Sequence, residues 1–229
     1  MTTRWIVALG LVGAIVGTVV LGAALLNATA APVPTTVAQD IEAVRSDAVA
    51  QTLVSVSSNP YDYADSSPAI SRLVAKGTPA LPRIEAAINQ SANDGLEEYM
   101  LVIAAEQIAK VKIGARSGDP LEWQTGKEWV SSWRRHLLAV PGEVQAIAHS
   151  SMSASEKNLA LTQLGTPALP FVLDEMAAGN SAVAPAANAL ASGEVEVGGD
   201  SPNITVEWAK KNRGRFATLR AMVQGATSQ

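Results

Sequence analysis

Six residues, Gly-Thr-Pro-Ala-Leu-Pro, occur twice in the chain, at 77–82 and again at 165–170. That repetition restricts the fold to one assembled from two copies of a single unit. Further matches follow in the same order: Ala104-Ala105-Glu106-Gln107-Ile108-Ala109 against Ala186-Ala187-Asn188-Ala189-Leu190-Ala191, then Glu128-Trp129 against Glu207-Trp208. The offset between copies shrinks along the chain from 88 to 82 to 79 residues, as loop deletions inside a tandem duplication would leave it.

The local chemistry of each copy predicts helix, sharp corner, helix. Gly77 and Gly165 stand where a glycine closes a helix, and Thr78-Pro79 and Thr166-Pro167 then supply an N-cap followed by proline at the first helical position. Leu81, Ile84 and Ile88 in one copy, and Leu169, Val172, Leu173 and Met176 in the other, continue an apolar stripe at helical spacing. Partner helices are predicted at 96–111 and 181–191, where alanines let two axes approach closely. Pro82, Pro170 and Pro185 are expected one turn inside their helices, each costing a backbone hydrogen bond and bending the first turn.

A tail follows each copy. The first runs through Gly114 and Gly118-Asp119-Pro120 into a helix at 126–140 carrying Trp129 and Trp133; the second runs through Gly198-Gly199-Asp200 into a helix at 205–223 carrying Trp208. The alternation at Val195–Val197 predicts a very short strand paired with 111–113, a minor β ribbon in an otherwise all-α chain. The two segments LVAKGTPALPRIEAAI with LVIAAEQIAKV, and LTQLGTPALPFVLDEM with APAANALA, resemble bacterial HEAT-type α-solenoid repeats. The resemblance covers roughly 75 residues, within 70–111 and 159–191. It implies stacked helix hairpins and a binding or scaffolding role, and it implies no particular ligand.

Upstream, Asp40 is read as the N-cap of a helix marked by Ile41, Val44, Ala48, Leu53 and Val56, ending at Ser57-Ser58-Asn59-Pro60. Residues 59–67 are read as a loop whose Tyr61 and Tyr63 cover a helix terminus. Residues 31–39, rich in proline and threonine, are read as a linker, so that the HEAT-like domain runs 40–229 with units at about 70–140 and 159–223.

Residues 5–26 carry no charge over 22 positions, a span of about 33 Å as a helix, enough to cross a bilayer. Two readings are open. The run is a retained transmembrane anchor, or it is a signal peptide cleaved near Ala30, where Ala28-Thr29-Ala30 gives an A-x-A pattern. Arg4 precedes the run and no Lys or Arg follows until Arg45, which places the amino terminus in the cytoplasm and the remainder outside the membrane. Gly13-x-x-x-Gly17 within the run is a weak signal for helix pairing.

Several chemistries are excluded by composition. The chain lacks cysteine, has two histidines and carries a net charge of −4, which removes thiolate sites, multi-histidine metal centres and a basic nucleic-acid binder. No HExxH, GxSxG, GxxxxGK[ST], SxxK or GxGxxG motif is present. The reading therefore assigns no catalytic, cofactor or metal residue. Paired carboxylates at Glu97-Glu98, Asp174-Glu175 and Glu194/Glu196 keep an alternative open, an exported glycan hydrolase using two acidic residues.

The candidate binding surface comprises Trp129, Trp133, Arg134, Arg135, Trp208, Lys210, Lys211, Arg213 and Arg215. Trp129, Trp133 and Leu137 share one helix face, read either as core or as an aromatic platform for a glycan or peptide. The basic residues behind them are a solvated helix face or a patch for an anionic envelope polymer or an acidic protein. The expected function is a membrane-tethered, extracytoplasmic binding or scaffolding module that does not bind nucleic acid; a spacer without a dedicated ligand is the third reading.

Overall fold

A computed structural model describes residues 34–52, 57, 59–114, 123–194, 197 and 203–226, and every regular element among them is a helix. The compact unit spans Thr35–Gln229. The apolar run at 5–26 lies outside the described residues; no helix among the described residues is long and apolar enough to cross a membrane.

Helix α1 (Val37–Thr52) begins earlier than the sequence suggests. The Thr36 amide donates to Gln39 Oε1 at 2.8 Å and the Gln39 amide to Thr36 Oγ1 at 3.2 Å, a reciprocal cap. The final residues of the expected linker thus initiate the helix. Asp40 is not a cap; it sits in the first turn, fully buried, accepting from Arg72 Nε at 2.6 Å and Thr35 Oγ1 at 2.7 Å, with Lys76 Nζ at 3.2 Å. Burial pushes its carboxyl up, but Arg72, Thr35 and Lys76 outweigh that and hold it below the ordinary aspartate value. Leu53 and Val56, read as the end of this helix, lie outside the described residues.

The stretch expected as a loop contains helix α2 (Pro60–Ser66), because Asn59 Oδ1 accepts from the Tyr61 amide and proline occupies the first position, both helix-initiating features. Tyr63 is buried and donates its hydroxyl to the Ser57 carbonyl, whereas Tyr61 is exposed. Ser67 caps α3 (Pro68–Ala75) and donates to Asp47 Oδ2 of α1 at 2.6 Å.

Both Gly-Thr-Pro corners adopt one conformation. Gly77 has φ 66° and ψ −161°, Gly165 φ 74° and ψ −176°, and each leads into a single 3-10 turn, Thr78–Ala80 or Thr166–Ala168. Helices α4 (Leu81–Gln90) and α8 (Leu169–Ala177) follow directly. The threonines do not act as helix N-caps as expected: both are buried, and their hydroxyls reach across to other elements. Pro82, Pro170 and Pro185 fall within the first two positions of their helices, where amides have no intrahelical partner, so the anticipated loss of a hydrogen bond is not incurred.

The remaining helices are α5 (Leu96–Ala109), α6 (Gly126–Ala148), α7 (Ala154–Gln163), α9 (Ala184–Ala191), α10 (Val206–Asn212) and α11 (Ala217–Gly225). Their neighbours repeat: α3 and α4 pack on α5 with α6 on α4, while α7 and α8 pack on α9 with α10 on α8. The sequence duplication is therefore a duplication of packing. Helix α6 runs past its expected end at 140 and through Pro141, which has no amide to offer the Leu137 carbonyl. The second tail, expected as one helix over 205–223, is broken by a 3-10 turn at Arg213–Phe216, where weakly helical Gly214 precedes the fully buried Phe216. No strand occurs among the described residues; Ile113 lies in a turn, and Val195 and Glu196 lie outside the described residues.

The two units dock through each other's corners. Gly165 lies against the end of α5, and Thr166 Oγ1 donates to the Ile108 carbonyl at 3.4 Å. At the other corner, Thr78 Oγ1 donates at 3.2 Å to Oε2 of Glu194, just beyond α9. Lys110, which closes α5 in a left-handed conformation at φ 53°, donates to the carbonyls of Leu190, at 2.7 Å, and Ser192, with Glu194 Oε1 at 3.8 Å. Each corner thus meets the end of the other unit's second helix.

Candidate functional site

The residues expected to form a binding surface divide sharply. Trp129 and Trp133 are each 1% exposed and stack on one another, centroids 5.4 Å apart with the planes 10° from parallel. Neither offers a ring to a ligand, so for these two the platform reading gives way to the core reading: this face of α6 is buried, with the Trp129 indole N–H donating to Glu106 of α5. Trp123 is also buried, donating its indole N–H to the Ile113 carbonyl at 2.9 Å. Trp208 is half-buried.

The basic residues divide likewise. Arg134 pairs with Glu85 of α4 at 2.7 Å, and both border a groove of about 540 Å³ between α4, α6 and α11. Arg135 is exposed and donates to Ser132 Oγ at 2.9 Å. Arg220 is spoken for by Asp174 Oδ2 at 2.7 Å, the Pro170 carbonyl at 2.8 Å and the face of Phe171. Lys210, Lys211, Arg213 and Arg215 are all exposed along α10 and the following turn; Lys210, Lys211 and Arg213 form no ion pair within the described residues.

The carboxylates singled out for a hydrolase are engaged elsewhere. Glu97 pairs with Arg45, and Glu98 is buried, accepting from the Gly95 amide at 2.7 Å and from Ser91. Asp174 holds Arg220, Glu175 meets His149 Nε2 at 3.1 Å, and Glu194 joins the two units. Glu196 lies outside the described residues. No group of three or more potential metal-ligating side chains occurs among the described residues.

A different carboxyl stands out. Glu106, near the end of α5, is 7% exposed, and its Oε1 accepts both the Ile113 amide at 3.0 Å and the Trp129 indole N–H at 3.1 Å. Its second oxygen has no hydrogen-bond partner among the described residues. Burial pushes this carboxyl above the ordinary glutamate value, against the two donors and nearby Lys112. The side chain borders a cleft of about 470 Å³ shared with Tyr61, Ile103, Gln107, Lys110, Val111 and Lys112. Lys112 Nζ lies 5.3 Å from the centre of the Tyr61 ring. The sequence did carry a signal for Glu106, a lone acid in the apolar run LVIAAEQIA at the position matched by Asn188 in the second copy.

Comparison of the chain with protein-family models, with curated proteins and with solved structures finds no significant match.

Proposed function

We propose that the chain is a membrane-tethered binding or scaffolding module, held outside the cytoplasmic membrane by the apolar run at 5–26, with two HEAT-like helix units as its rigid body. Its recognition surface is the exposed stretch of α10 and the following turn that carries Lys210, Lys211, Arg213 and Arg215, and its partner is an acidic protein surface or an anionic envelope polymer. One observation carries the choice of surface: these four exposed cations fall within six residues of a chain whose net charge is −4. Arg72, Arg134 and Arg220 are committed to internal ion pairs, whereas Lys210, Lys211 and Arg213 form none within the described residues. Concentrated like charge on a stiff scaffold raises encounter rates with an oppositely charged partner and fixes its orientation.

The HEAT-like reading rests on the repeated motif and on the repeated order of helix neighbours. Crosslinking on the native membrane fraction tests the proposal. A partner recovered with wild type and lost when Lys210, Lys211, Arg213 and Arg215 are changed to glutamate supports it; equal recovery from both overturns it.

A further inference from the structure

The Glu106 cleft has no role in the reading above, and its construction is unequal between the two copies. In the second copy the matching Asn188 uses Oδ1 to accept the Ile204 amide at 2.8 Å, as Glu106 accepts the Ile113 amide. Ile113 and Ile204 are both buried, so in each copy one side-chain oxygen clamps the loop leading to the tail helix. A neutral amide suffices for that clamp. A glutamate there incurs the cost of burying an ionisable group, and it adds an oxygen that the clamp does not use, on a side chain that borders the cleft.

The cleft's volume, about 470 Å³, falls in the range that holds small organic ligands. Ile103, Val111 and the Tyr61 ring give it an apolar lining, and the Lys112 ammonium sits over that ring beside the cleft. Lys110 also borders it but is tied to the α9 carbonyls and Glu194. Lys112 is the charged group that acts on Glu106 from the described surroundings; the Trp129 and Ile113 donors facing it from α6 and the loop are uncharged, and Tyr61 is the titratable group presented by α2.

We propose that this cleft binds a small amphipathic carboxylic acid, its carboxylate bridging the Lys112 ammonium and the open oxygen of Glu106, its apolar part against Ile103, Val111 and Tyr61. Two carboxyl groups in contact share one proton. The bound state therefore forms when the Glu106 carboxylate takes a proton from solvent and donates it, as an O–H hydrogen bond, to the ligand carboxylate. No bond other than that to the proton is made or broken. Ligand charge beside Lys112 in turn favours the protonated Glu106, so binding and proton uptake reinforce each other.

The test uses hexanoate as the probe and the full chain in detergent, with a detergent-only blank, by titration calorimetry in two buffers of different protonation enthalpy. The wild type is expected to bind hexanoate with net proton uptake approaching one per site, its affinity falling about tenfold per pH unit on the alkaline side. Glu106→Gln, which keeps the clamp oxygen and offers N–H in place of O–H, is expected to bind without proton uptake and with flat pH dependence. Lys112→Met is expected to weaken binding at least about tenfold, the loss of a charge-assisted bond. Absence of hexanoate binding at millimolar concentration overturns the proposal. So does wild-type binding without proton uptake, or binding that neither substitution alters.

Discussion

A β-carbon added to Gly165 would lie 2.4 Å from the carbonyl oxygen of Ala109, inside any tolerable contact. The same glycine holds φ at 74°, a region an L side chain rarely adopts. Two independent demands thus meet at one residue, and they separate experimentally. Gly179 has φ 106° but nothing within 4 Å of a built β-carbon, so Gly179→Ala is expected to cost about 1 kcal/mol from backbone strain alone. Gly165→Ala must also push α5 from the second corner and is expected to cost about 3 kcal/mol or more. Urea denaturation of both variants checks the order; equal costs would show that the corner does not bear on α5.

Asp40 anchors the start of the folded unit. Its carboxylate is fully buried beneath Arg72, Lys76 and Thr35. Asp40→Ala is expected to lose about 2 kcal/mol, limited because both cations can turn to water. Its folded-state pKa is lowered, so its contribution is full above the ordinary value of 3.8 and disappears as pH falls below it. The gap between wild type and Asp40→Ala, measured by denaturation, should therefore close below about pH 3.8.

His136 and Glu106 should respond to pH in opposite senses. His136 Nε2 lies 3.0 Å from the Leu164 carbonyl, and burial holds the ring below the ordinary histidine value despite that carbonyl and Glu143. Its contribution is full above pH 6.5 and is lost as pH falls from there toward the folded-state value, so the advantage of wild type over His136→Gln should shrink on acidification. Glu106 is raised. Its neutral form is fully present below 4.5, and stability is lost as pH rises from 4.5 through the folded-state value; Glu106→Gln should gain on wild type as pH increases. Thermal melts across this range check both signs.

Trp133 is a structural residue on this account. Trp133→Ala should cost about 3–5 kcal/mol through the cavity it opens beside Trp129. Partner capture per folded molecule should not change. A large loss of capture at unchanged folded fraction would return the tryptophan stack to the binding surface.

The duplication was legible because it is written in identical residues, and the glycine corners followed from what only glycine tolerates. Local pattern erred where long-range partners decide. Asp40 has cap chemistry, yet Arg72 and Lys76, more than thirty residues away, draw it inside. Thr78 and Thr166 likewise precede helices as caps do, but their hydroxyls serve Glu194 and Ile108. The Trp129–Trp133 pair had the spacing of a buried stripe and of a platform alike; periodicity identifies a face and does not say what covers it. Glu106 was overlooked because a single acid in a helix reads as solvated, and the Ile113 and Trp129 donors that bury it lie beyond the helix's own sequence.

The binding role proposed for this chain depends most on the cations of α10 and the turn after it. The decisive measurement is the ionic-strength dependence of partner capture from the native membrane fraction, by wild type and by a Lys210→Glu, Lys211→Glu, Arg213→Glu variant. Capture by wild type that falls as salt screens the surface charge, and that the variant lacks even at low salt, is the predicted result. Capture that is insensitive to salt and undiminished in the variant would contradict the account.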